Sequence, residues 1–186
     1  MSHLPVAVAL VHYPVLDRRG DIVTTAVTNL DLHDIARSGR TFGVERFYVV
    51  TPIAEQQSLM NRLLDHWQEG HGASYNPDRK AALQLVEMVP SLDEALTRWQ
   101  GDNTGTQVLP LLTAAGRSDG LPFIEARKLR SEAALLIVLG TGSGLAPELF
   151  DRDWPVLQAI HGTGNYNHLS VRAAAAIIFD RLLGHR

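Results

Sequence analysis

Two rhythms of apolar residues run along this chain. Short unbroken apolar runs occur at residues 5–11, 46–50, 83–89, 107–112 and 133–139, with a weaker one at 156–160, and each is bounded by Gly, Pro or charge. Runs of this kind predict strands buried on both faces. Between them the apolar positions take helical spacing. Residues 31–42 place Leu32, Ile35 and Ala36 on one face, and residues 55–67 do the same with Leu59, Leu63 and Leu64. Ser91-Leu92-Asp93-Glu94 reads as a capping box opening a helix over 92–99. Residues 122–131 predict another helix, and 167–183 the longest, with Gly184 as its C′ residue. The stretch His71-Gly72-Ala73-Ser74-Tyr75-Asn76-Pro77 reads as one loop insertion.

Strands alternating with helices imply βαβ units, hence an α/β fold with a mostly parallel sheet and helices on both faces. In such sheets ligands sit beyond the carboxyl ends of the strands, where the loops at 140–147 and 161–167 fall. The 186 residues fit a single domain over 1–186, long enough to bury a core without disulfides or metal. The absence of Cys excludes a disulfide framework, a thiolate nucleophile and a Cys-based zinc site. No apolar run reaches the roughly 20 residues a membrane span needs. The start, Met1-Ser2-His3-Leu4-Pro5-Val6, carries no signal-peptide pattern, so a cytoplasmic protein is expected.

A net charge of −3 excludes coating of nucleic acid by bulk electrostatics. The positive charge is nearly all Arg, with Lys80 and Lys128 the two lysines. Guanidinium forks match phosphate oxygens, which suits a local RNA site, although a GC-rich gene gives the same bias.

The run Ala133-Ala134-Leu135-Leu136-Ile137-Val138-Leu139 leads directly into Gly140-Thr141-Gly142-Ser143-Gly144-Leu145. Alternating glycines after a buried strand let backbone approach a ligand and turn amides toward it. A Walker loop needs a Lys that is missing here, and a dinucleotide loop needs its third Gly where Leu145 stands. Val138–Gly144 also looks like the first motif of Rossmann-type methyltransferases, but that motif closes the first strand of its domain, whereas five strands precede it here.

Three segments in order resemble the SPOUT superfamily of RNA methyltransferases. They are Asn29-Leu30-Asp31-Leu32-His33-Asp34-Ile35-Ala36-Arg37, the 139–145 loop, and Ile160-His161-Gly162 followed by Tyr166-Asn167-His168-Leu169-Ser170-Val171-Arg172. Within it the chain is similar to stand-alone domains related to the tRNA guanine-N1 methyltransferases. The resemblance implies a C-terminal deep trefoil knot over about 133–184 that holds S-adenosylmethionine. It also implies an RNA substrate (tRNA or rRNA) and a homodimer with a shared site, with no membrane association. By position it implies cofactor contacts from Leu139, Gly140, Thr141, Gly142, Gly144, Ile160, Gly162 and Leu169.

Methyl transfer requires the acceptor to be held in line and, for a hydroxyl or ring N–H, to lose a proton. Arg37 matches the first-motif Arg of the SpoU-type ribose enzymes, and its alternative is a solvated helix face. Gly142 stands where those enzymes carry a Glu, and no Asp lies between His161 and Arg172 where the guanine-N1 enzymes carry their base. His168 is therefore the local candidate for a base, or equally a capping or packing residue. Asn165 and Asn167 are candidates to orient a base edge or to cap the last helix. His12-Tyr13-Pro14, after the first strand, falls at the same sheet edge and can line the pocket. Arg18, Arg19 and Arg40 are candidate RNA contacts. The other histidines form no i, i+4 pair beside a carboxylate, so no metal site is expected. The alternatives are a non-catalytic nucleotide- or S-adenosylmethionine-binding module and a permuted Rossmann-type methyltransferase.

Overall fold

The computed structural model describes residues 3–117, 119–164 and 166–185. Asn165 lies outside them. The chain order is β1 (Val6–Val11), β2 (Val15–Leu16), β3 (Ile22–Val23), α1 (Asn29–Thr41), β4 (Arg46–Val50), α2 (Ala54–Gln68), α3 (His71–Tyr75), α4 (Pro77–Leu83), β5 (Val86–Val89), α5 (Leu92–Asp102), β6 (Val108–Thr113), α6 (Phe123–Leu129), β7 (Ala134–Gly140), a 3-10 turn (Pro147–Arg152), β8 (Val156–Leu157) and α7 (Val171–Leu183).

Six strands form one parallel sheet in the order β5-β4-β1-β7-β6-β8, and β2 and β3 pair as a short antiparallel ribbon. Central β1 runs in register between β4 and β7, pairing Val11 with Val50 on one side and with Gly140 on the other. All six of its residues are buried, as a strand covered on both faces requires. Alternate residues serve opposite layers. Val6, Val8, Leu10, Leu135, Ile137 and Leu139 join the helical layer containing Leu32, Ile35, Ala175 and Phe179. Ala7, Ala9, Val11, Leu136 and Val138 face Leu92, Ala95, Trp99 and Leu149.

From β1 the chain builds outward through β4 and β5, then crosses to β6 and returns through β7 to close against β1. That reversal opens a crevice beyond the carboxyl ends of β1 and β7, the place where α/β sheets hold ligands.

Several expectations need correction. The 71–77 stretch contains the helix α3, and α4 follows it at once, opened by the Asn76 side chain accepting from Arg79 N–H. α4 also absorbs Leu83, so the predicted 83–89 strand shortens to β5. The last helix begins at Val171, not at 167. Its N-cap is Ser170, whose Oγ accepts from Ala173 N–H at 3.3 Å, and residues 166–170 line the crevice ahead of it without helical structure. Gly184 ends that helix at φ −62°, so it does not use the left-handed freedom of a C′ glycine. In the 91–94 box Ser91 Oγ accepts from Glu94 N–H at 3.1 Å, while the Glu94 carboxylate turns instead to Arg98 Nε at 2.7 Å.

Candidate functional site

The crevice is a cavity of about 1430 Å³. This exceeds the roughly 300–1,000 Å³ of an ordinary small-molecule site, so it has room for two ligands side by side. One half is built by the ends of β6, β7 and β8 and by the segment leading to α7. Leu139, Gly140, Thr141, Gly142, Gly144, Ile160 and Leu169 line it, together with Leu157 and Ile178. The other half lies beyond β1 and is lined by His12, Arg18, Thr25, Ala26 and Asp31.

The glycine loop owes its shape to the β2 ribbon. Gly142 sits at φ +61°, and a Cβ there would meet Leu16 O at 2.6 Å. Ser143 N–H donates to Leu16 O at 2.8 Å, and Leu16 N–H to Gly144 O at 2.9 Å. Gly144 N–H donates to Thr141 O at 3.1 Å. The amides of Ser143 and Gly144 are therefore taken by the fold, contrary to the expectation that the whole loop offers N–H groups to a ligand.

His12 is fixed by its backbone, its N–H donating to Val50 O and its carbonyl accepting from Thr25 N–H, each at 2.9 Å. Its ring is fully buried, with Nδ1 3.0 Å from Thr25 Oγ1. Thr25 Oγ1 lies 2.5 Å from Thr141 Oγ1, which donates to Val11 O at 2.9 Å. A side-chain chain thus ties the end of β1 to the glycine loop. Burial pushes the His12 pKa down to about 4, against a smaller upward pull from the Asp31 carboxylate, so the ring is neutral at physiological pH.

Asp31 opens α1. Its N–H donates to Thr28 Oγ1 at 3.1 Å, and that hydroxyl donates to its Oδ2 at 2.6 Å. Arg172 of α7 pairs with Asp31 at 3.4 Å and with Asp34 at 3.3 Å, locking the two helix starts together at the cavity wall. The Asp31 side chain is only 14% exposed.

His168 and Asn167 line the cavity. The His168 ring stands edge-on to Tyr166 at 5.2 Å. Asn167 Nδ2 donates to Ala115 O at 2.8 Å, fastening the segment before α7 to the loop after β6. Arg37 is exposed on α1 and does not line the cavity, and Gly162 lies in an exposed stretch away from its wall. The cavity therefore brings His168 and Asn167 together but not Arg37 of the same chain. Thr25, Asp31 and Arg117 also line the cavity, and no sequence motif assigns them a role there. Thr25 carries no local signal at all, since its contact partner is 116 residues away.

Among the described residues no three His, Asp or Glu side chains cluster as metal ligands, and no helix is long and apolar enough to cross a membrane.

A family model of SAM-dependent RNA methyltransferases matches residues 5–184. The chain belongs to that family. An uncharacterized protein of Aquifex aeolicus is 38% identical over 182 residues, covering 95% of this chain and 87% of that one. Two proteins named tRNA (guanine-N(1)-)-methyltransferase match at 44% identity, in Oleidesulfovibrio alaskensis, and at 42%, in Nitratidesulfovibrio vulgaris. Each match covers 95% of this chain but 41% of the relative, so the chain spans about two fifths of the length of these two proteins. In fold, this member of the SAM-dependent RNA methyltransferase family is similar to the SpoU methyltransferase AviRb of Streptomyces viridochromogenes in complex with AdoMet. The TM-score is 0.57 at 16% identity, over 98% of this chain and 58% of that one. It is also similar to a TrmH/SpoU tRNA modifying enzyme of A. aeolicus, with TM-score 0.55 and 17% identity over 96% and 73% of the two chains.

Proposed function

We propose that this protein methylates RNA with S-adenosylmethionine as donor, the cofactor lying in the β6–β7–β8 half of the cavity and the acceptor nucleoside in the β1 half. The single observation that carries the reading is the large cavity around the glycine loop in a chain of this family. Apolar walls from Leu139, Leu157, Ile160 and Leu169 suit an adenine ring, and the Gly140 and Thr141 backbone allows close approach, so the residues present fit the cofactor. When bound, S-adenosylmethionine supplies an electrophilic methyl group. The chain's own part is to hold the acceptor in line and take its proton. His168 is the group we assign to accept that proton. Asn167, through its bond to Ala115 O, holds the segment that carries His168. Asp31 takes an N–H or O–H of the nucleoside, oriented by Thr28 and Arg172. Arg37 points to solvent in one chain, which leaves it for RNA or for the site of a second copy.

The tRNA and rRNA substrates, a homodimer and a cytoplasmic setting belong to the same proposal. So does the C-terminal knot over about 133–184.

The test is calorimetric titration with S-adenosylmethionine, followed by transfer of a labelled methyl group to total RNA from a strain lacking the gene. Micromolar binding and labelled RNA are expected. His168→Ala should cut transfer about 100-fold or more with cofactor affinity kept, in the usual range for a lost general base. A wild-type protein that ignores the cofactor removes the reading.

A further inference from the structure

Resting on that reading of the cavity, we infer that Nε2 of His12 is a fixed hydrogen-bond acceptor for an N–H or O–H group of the methyl-accepting nucleoside. The inference comes from counting protons along the chain of side chains. Thr141 has one hydroxyl proton, and it goes to Val11 O. The 2.5 Å contact between the two threonines must then use the proton of Thr25. With that proton committed, Thr25 Oγ1 can only accept from His12, so Nδ1 carries the ring proton. In a neutral imidazole the other nitrogen is a bare acceptor. Nε2 is buried and has no partner among the described residues, and His12 is one of the residues that line the cavity.

A buried acceptor left without a donor costs free energy comparable to a lost hydrogen bond, so the site is incomplete until something supplies one. His12 stands in the β1 half, beside Asp31 and away from Leu157 and Ile160, which is the acceptor side of the cavity. Asp31 is also acceptor-only when ionised. A nucleoside edge seated between the two must bring hydrogen. A hydroxyl, a ring N–H or an exocyclic amino group can do so.

Two substitutions separate the ring atoms. His12→Asn keeps a donor toward Thr25 and removes the acceptor at Nε2, whereas His12→Gln places an oxygen near Nε2 and loses the Nδ1 donor. Both should bind S-adenosylmethionine within about threefold of wild type. In His12→Asn the kcat/KM for methyl transfer to total RNA from the deletion strain should fall about 100-fold, and His12→Gln should stay within about tenfold of wild type. Wild-type transfer in His12→Asn, or a matching loss of cofactor affinity, overturns the inference. Ring ¹⁵N spectra of histidine-labelled wild type read the relay by themselves: a proton on Nδ1 with Nε2 bare is expected, and the reverse tautomer overturns it. Absence of S-adenosylmethionine binding by the wild type overturns the functional reading instead, and the ring spectrum still decides the relay.

Discussion

Burial of His12 couples the cavity to the stability of the whole chain. Its pKa is about 4 in the folded protein against 6.5 when free, with desolvation the larger cause and the Asp31 charge opposing it. Between those values the unfolded chain binds a proton that the folded chain refuses, so acid favours unfolding. The stabilisation is full above about pH 6.5 and is lost as pH falls toward 4, and it amounts to about 3 kcal/mol. Urea unfolding of wild type and His12→Asn at pH 7.5 and pH 4.5 checks this. The wild type should lose more stability across that interval than the variant, because asparagine does not titrate. Equal losses would mean that the ring is protonated or solvated in the native state. His33 is lowered mainly by burial as well, but it is common to both proteins and cancels in the difference.

Elements were legible in the sequence wherever burial alone decides them. β1, β4, β6 and β7 stood within a residue or two of their true bounds, because a strand hidden on both faces cannot afford a polar side chain. β2 and β3 went unread, since two residues each give no periodicity and their form depends on the Leu16 bonds to the distant glycine loop. The start of α7 was misjudged for a related reason. Asn167 and His168 have helical company in sequence but lie ahead of the Ser170 cap, with Asn167 Nδ2 bonded to the distant Ala115 O. The other end of α7 is held by α6 in a way that no pattern announces. Arg127 donates to the carbonyls of Arg181 at 3.2 Å and Gly184 at 2.8 Å, and Arg130 donates to Leu182 O at 3.2 Å. These charged donors satisfy carbonyls that a helix end leaves unpaired. Arg127→Ala should lower unfolding free energy by about 1–3 kcal/mol. Cofactor affinity should change little, because Arg181, Leu182 and Gly184 are not among the residues that line the cavity. Chemical denaturation and calorimetry on the same variant separate the two effects, and a loss of affinity without a loss of stability would refute the role of a clamp.

The whole molecule constrains where RNA can lie. The sequence offered Arg18, Arg19 and Arg40 as one candidate footprint, but the fold separates them. Arg18 lines the cavity at the carboxyl ends of the strands, with Arg19 next to it in the turn between β2 and β3. Arg40 belongs to the last turn of α1, in a cleft with Gly43, Val44 and Glu45 at the amino ends of the strands. A parallel sheet puts all strand starts at one edge and all ends at the other, so these cations sit at opposite edges. Arg117 joins the cavity edge, although Asp119 already engages it at 2.9 Å. An RNA whose target nucleoside enters the cavity meets Arg18 and Arg19 and cannot reach Arg40 of the same chain without wrapping around it. Binding measured by fluorescence anisotropy at several salt concentrations distinguishes the edges. Replacing Arg18 and Arg19 with Ala should weaken RNA binding and lower the slope of log K against log salt by about one per phosphate contact removed. Arg40→Ala should leave both unchanged if each chain serves its own site. A reduced slope in Arg40→Ala alone would place the RNA across two copies, with the amino edge of one chain presented beside the cavity of the other.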